Sequence, residues 1–197
     1  PGDTAQLGWT FNDGTVDSQE DNKIVVTITE LNDAPVLAAG GVLTAIAEDA
    51  TTNEGKKAST LYTANDDLDS GSSGSISGIA VVGNTADSAN ERAWQYSTND
   101  GTNWFDIGAV ADGATALALS GDTLIRFNPV ANYSGAPTAL TFRALDNNHT
   151  AFSTTAESES RQTVDTTNNG SDTNISTNTK NITTTVTATN DAPVLTA

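Results

Sequence analysis

Short stretches in which every second residue is apolar recur along the chain, and they set the expected architecture. The clearest are Ile24-Val25-Val26-Thr27-Ile28-Thr29 and Ile182-Thr183-Thr184-Thr185-Val186-Thr187. A period of two places alternate side chains on opposite faces of a strand, so one face buries while the other stays wet. Further strands are predicted at Ala58 to Thr63, Ser75 to Val82, Trp94 to Ser97, Trp104 to Ile107, Ala116 to Leu119, Leu124 to Phe127 and Leu140 to Leu145. Asn99-Asp100-Gly101 between two of these runs is a hairpin signal, because such turns accept positive φ. No segment carries a sustained helical stripe. The expectation is an all-β fold, an antiparallel Greek-key β-sandwich with long acidic loops.

A repeat organises these strands. Asn32-Asp33-Ala34-Pro35-Val36-Leu37 recurs as Asn190-Asp191-Ala192-Pro193-Val194-Leu195, each copy following a threonine-rich strand. Proline stops a ladder because it has no N–H to donate. Punctuation of this kind marks the joints of a tandem array. Residues 1–31 then form the C-terminal hairpin of a preceding repeat, from Leu7-Gly8-Trp9 and Lys23 to Thr29. Residues 32–37 are a linker, 38–189 one complete module with a long loop at 146–181, and 190–197 the linker to the next module.

Charge narrows the function classes. Eight Lys and Arg against 25 Asp and Glu leave a formal charge of 8 − 25 = −17. Self-repulsion at that level opposes compaction unless a cation relieves it. Nucleic-acid and anionic membrane partners are excluded for want of basic clusters. Without cysteine there is no disulfide framework, thiolate chemistry or cysteine-bound metal. A cysteine-free extracellular chain points to a bacterial source. The opening Pro1-Gly2-Asp3-Thr4 lacks a signal pattern, so an export signal is expected elsewhere in a longer protein.

Acids gather where strands end. Asp66, Asp67 and Asp69 lie in one turn, Glu48-Asp49 follows the first joint, Asp33 lies in it beside Asn32, and Asp146-Asn147-Asn148 closes the strand Leu140 to Leu145. Clustered carboxylates repel unless neutralised, and hard oxygen donors are what calcium takes. By contrast, Asp13 and Asp100, each next to a glycine, read as simple turn formers. Trp94, Tyr96 and Trp104 read as packing residues, and Arg126 and Arg143 as solvent-facing positions alternating with apolar ones. His149 is the lone histidine, there is no H-E-x-x-H or G-x-S-x-G, and paired acids sit in turns without an aromatic cleft. Catalysis is therefore not expected.

The run Thr63-Ala64-Asn65-Asp66-Asp67-Leu68-Asp69-Ser70-Gly71, the joint Glu30-Leu31-Asn32-Asp33-Ala34-Pro35 and the turn Ala144-Leu145-Asp146 resemble cadherin repeats. Trp94 to Trp104, Leu124 to Pro129, Asn132-Tyr133-Ser134-Gly135 and Thr141 to Ala144 are similar to the cadherin-like repeats of large bacterial RTX adhesins. That resemblance implies several calcium ions held between modules by Asn32, Asp33, Glu48, Asp66, Asp67, Asp69 and Asp146. The L-D-R-E element of cadherins has no match here, which leaves the ion number open. It also implies a monomeric module that contacts its neighbours in the same chain, exported by type I secretion to the bacterial cell surface and supporting attachment in biofilm, with no membrane insertion. A further reading concerns the polar loop 146–181, long enough to be functional or disordered. Its Glu157, Glu159, Asp165 and Asp172 form a candidate site where bound calcium would accept a peptide carboxylate or the hydroxyls of a glycan.

Overall fold

A computed structural model describes residues 4–9, 12–16, 22–27, 31–65, 75–156 and 158–193. The chain divides into two compact units, Pro1–Leu31 and Asn32–Ala197. In the first, β1 (Thr4–Trp9) pairs antiparallel with β2 (Asn22–Thr27), Leu7 facing Ile24 and Ala5 facing Val26. Leu7, Ile24, Val25 and Val26 are each more than half exposed, so this hairpin buries little of its own apolar surface.

The second unit is built from thirteen short strands among the described residues. They are β3 (Leu37–Gly40), β4 (Ile46–Ala47), β5 (Lys56–Lys57), β6 (Tyr62–Ala64), β7 (Ile76–Gly83), β8 (Arg92–Ser97), β9 (Phe105–Asp106), β10 (Ala116–Ser120), β11 (Leu124–Pro129), β12 (Leu140–Asp146), β13 (Thr163–Val164), β14 (Lys180–Ile182) and β15 (Val186–Thr187). One sheet runs β13-β10-β7-β12-β14 and a second β5-β11-β8-β9, both antiparallel throughout. β3 pairs with β6, and β15 runs parallel to β4. The fold is all-β with several antiparallel sheets, an arrangement consistent with a β-sandwich.

Alternation explains the core. Ile79, Val81, Leu117, Leu119 and Phe142 from the five-stranded sheet share one buried cluster with Trp94, Tyr96, Ile125 and Phe127 from the four-stranded sheet. Trp94 meets Phe127 edge-on at 5.3 Å, and its indole N–H donates to the Thr138 carbonyl at 2.8 Å. Burying the indole thus leaves no polar group unpaired.

The five-stranded sheet buries its other face as well. Ala80, Val82, Ala116, Ala118 and Leu145 form a second buried cluster with Ile175, and Phe152 and Val164 pack on it. The covering residues all belong to the stretch 146–181. That stretch is folded onto the sheet through β13, which extends the edge at β10, and through the bridge Leu145–Ile175. Polar groups within it, Thr155, Thr166 and Ser176, are almost fully buried and bonded. A polar composition reads as a loop, yet backbone and hydroxyl pairing lets it lie against small alanine side chains without orphaned groups.

Candidate metal centre

The first joint meets the end of β12. Pairing with β7 shifts register between Leu145 and Asp146, a bulge that re-aims the last side chain. Asp146 is fully buried. Its Oδ1 accepts the Asn148 N–H at 2.8 Å and its Oδ2 accepts Asn32 Nδ2 at 2.9 Å. The backbone is pinned on both sides, Asp146 N–H donating to the Asn174 carbonyl at 3.1 Å and the Ser77 hydroxyl donating to the Asp146 carbonyl. Among the described residues no Lys, Arg or His forms an ion pair with this carboxylate. The partners of this buried carboxyl group are hydrogen-bond donors, the Asn148 N–H and Asn32 Nδ2.

Asn32 is surrounded by oxygen. Its amide nitrogen donates to Asp146 Oδ2, to the Thr173 carbonyl at 2.8 Å and to the Asp33 carbonyl at 3.3 Å, while its Oδ1 accepts from Asn148 Nδ2. The turn that supplies Thr173 also accepts the Ala34 N–H at Ser171, 2.8 Å away. One carboxylate, the Asn32 amide oxygen and backbone carbonyls thus gather around the joint, a donor set of hard oxygens that fits calcium in kind. Asp33 is exposed beside it. Among the described residues no three Asp, Glu or His side chains converge as a metal cluster. Asp66, Asp67 and Asp69 lie outside the described residues.

Glu48 stands elsewhere. Its Oε1 accepts the Thr189 N–H at 2.7 Å, directly before the second joint, and its own N–H donates to the Thr187 carbonyl at 3.0 Å. The chain from Gly41 to Glu48 runs beside Thr183 to Thr187, Leu43 N–H donating to the Thr183 carbonyl and Ile46 N–H to the Thr185 carbonyl. Two acids that the resemblance gives as calcium donors thus lie at different places, Asp146 at Asn32 and Glu48 beside Thr189.

Of the loop acids, Glu159 and Asp165 have hydrogen-bond partners within the unit. Glu159 Oε1 accepts from the Tyr96 hydroxyl at 2.7 Å and from Arg161 Nη1 at 2.9 Å. Burial, then the bond to Glu159, pushes the Tyr96 phenol well above its ordinary value. Asp165 Oδ1 accepts the Thr167 N–H at 2.9 Å, and bonds to Thr167 hold its carboxyl below the usual range. Asp172 is exposed in the turn between Ser171 and Thr173, and Glu157 lies outside the described residues.

Arg143 is not solvent-facing as its alternation predicts. It is buried beneath the 146–181 cover, where Nη1 donates to the Ser176 carbonyl at 3.0 Å and to the Thr177 carbonyl. Nε and Nη2 hold the Asp112 carboxylate at 3.0 and 2.6 Å, and Asp112 also accepts from the Thr166 hydroxyl at 2.6 Å. The Arg143 bonds hold the Asp112 carboxyl below its ordinary value; burial opposes them, and the Thr166 bond adds a smaller lowering. A signal for this was present: Ile79-Ala80-Val81-Val82 and Ala116-Leu117-Ala118-Leu119 are apolar without interruption, the mark of strands buried on both faces.

Among the described residues no helix is long and apolar enough to cross a membrane. No known protein family, curated protein or solved structure matches the chain.

Proposed function

We propose that this chain is a calcium-binding extracellular module of a large repetitive bacterial adhesin, a cadherin-like Greek-key sandwich that stiffens the chain and supports attachment without catalysis. The observation that carries the reading is that the first copy of the joint is met by a buried acid, Asp146 at Asn32, while a second acid, Glu48, holds Thr189, the residue just before the other copy. Calcium at a joint would replace the hydrogen bonds now relieving Asp146, with Asn32, Asp33 and carbonyl oxygens as its further donors and Asp66, Asp67 and Asp69 the acids expected beside them. Bound there, the ion supplies positive charge against a net −17 and a fixed angle between successive modules.

Extracellular sites of this type bind with dissociation constants on the order of 10⁻⁴–10⁻³ M, so the module would stiffen only after export. At calcium tenfold above such a constant, each ion adds about 1.4 kcal/mol and raises the melting temperature by roughly 3–6 °C. Thermal unfolding in calcium and in EGTA, with calorimetric titration, measures both. Asp146→Asn should lower the uptake at the first joint, and Glu48→Gln at the second. Equal melting temperatures with no heat of binding at millimolar calcium would sink the proposal. The other reading, ligand capture by calcium in 146–181, draws on the exposed Asp165 and Asp172, whereas Glu159 is held by Tyr96 and Arg161.

A further inference from the structure

The outer face of the four-stranded sheet carries a cleft of about 490 Å³, between the segment 51–55 and the turn Asp100–Trp104. That size lies within the range of small-molecule sites. Trp104, read from the sequence as packing, is only partly buried and lines it. The Arg126 guanidinium sits 3.9 Å from the centre of its ring. Arg126 is locked from behind: Nε donates to Gln95 Oε1 at 2.9 Å, Nη1 donates to the Asn53 carbonyl at 3.0 Å, and Gln95 donates on to Asp106 at 2.7 Å. Its Nη2 has no acceptor among the described residues.

Two carboxylates, Glu54 and Asp100, line the same cleft, and among the described residues neither forms an ion pair. Glycines keep the indole edge uncovered. A Cβ at Gly55 would lie 3.0 Å from Trp104 Cη2, and one at Gly101 3.4 Å from Cζ2. The cleft therefore offers fixed N–H donors, two anionic acceptors and an aromatic edge within one small volume. A hydroxyl group both accepts from a guanidinium and donates to a carboxylate, and a pyranose ring carries several beside apolar C–H faces. Glu54, Asp100 and the net charge oppose an anionic ligand, while Arg126 opposes a simple cation.

We propose that this cleft binds a neutral saccharide unit, with Arg126 donating to its oxygens, Glu54 and Asp100 accepting from its hydroxyls, and the Trp104 edge against its carbon skeleton. Binding uses no metal and is independent of the calcium reading. The full chain, kept in EGTA, is titrated with glucose, galactose, mannose, fucose and N-acetylglucosamine, with N-acetylneuraminic acid as an anionic probe. Tryptophan fluorescence and saturation-transfer NMR report binding. At least one neutral sugar should bind saturably, and the exposed double variant Glu54→Gln/Asp100→Asn should weaken it about tenfold at an unchanged melting temperature. Arg126→Lys should weaken it similarly. Silence across all neutral sugars, preference for the anionic sugar, or full-strength binding by both variants overturns the proposal. Because chelator is present throughout, none of these outcomes touches the calcium sites.

Discussion

Replacing Arg143 by methionine removes the cation that clamps the 146–181 cover to the five-stranded sheet, while filling similar volume. Lost are two bonds to the Ser176 and Thr177 carbonyls and the two-pronged grip on Asp112. Bonds to a charged group contribute about 1.5–3 kcal/mol each when buried. The Asp112 side chain is 46% exposed, so water recovers most of its share and that half of the clamp is discounted. Ser176 is fully buried and its carbonyl would be left without a donor. The expected loss is about 2–4 kcal/mol, which for a chain of this size lowers the melting temperature by roughly 5–15 °C. Hydrogen exchange localises the effect: the Ser176 N–H, bonded to the Ala144 carbonyl at 3.0 Å, should exchange faster, while Leu119 and Ile125 between the sheets should not. Arg143→Lys keeps the charge but not the fork, and should fall between. An unchanged melting temperature with an unchanged Ser176 amide would refute the clamp.

The Asp112 carboxyl, held low by Arg143, stabilises the fold above the unfolded carboxylate value near pH 4 and loses that contribution as pH falls through its folded value, so acid unfolding curves should flatten in Arg143→Met. Tyr96→Phe deletes the bond to Glu159 and should cost about 1 kcal/mol in chemical denaturation. Because the folded Tyr96 keeps its proton while the unfolded phenol ionises near pH 10, stability should decline from that pH upward in the parent, and the Phe variant should lack this share of the decline. Gly78→Ala would set a Cβ 2.3 Å from the Leu119 carbonyl oxygen and 2.6 Å from Phe152 Cε1, and should cost about 1–3 kcal/mol in thermal unfolding. Full tolerance of that alanine would mean that Phe152 does not pack on the sheet as described.

Strands were legible where short apolar-rich runs lay between turn residues. The predicted Ser75 to Val82, Leu124 to Phe127 and Leu140 to Leu145 correspond to Ile76–Gly83, Leu124–Pro129 and Leu140–Asp146. The repeated strand before the second joint was less simple. It appears as two short pieces, β14 on β12 and β15 on β4, because its partners change along its length.

Period-two apolarity, turn residues and a surplus of carboxylates are properties of neighbouring residues, so the amino-acid order alone determines an all-β chain with acidic strand ends. Partnership across long separations is not such a property. That Asp146 faces Asn32, that Glu48 belongs with Thr189, that Arg143 is roofed over and that Trp104 opens onto a cleft were decided only when distant strands came together. Burial assigns each polar side chain its partner, since a group removed from water must bond to whatever the packing brings within reach.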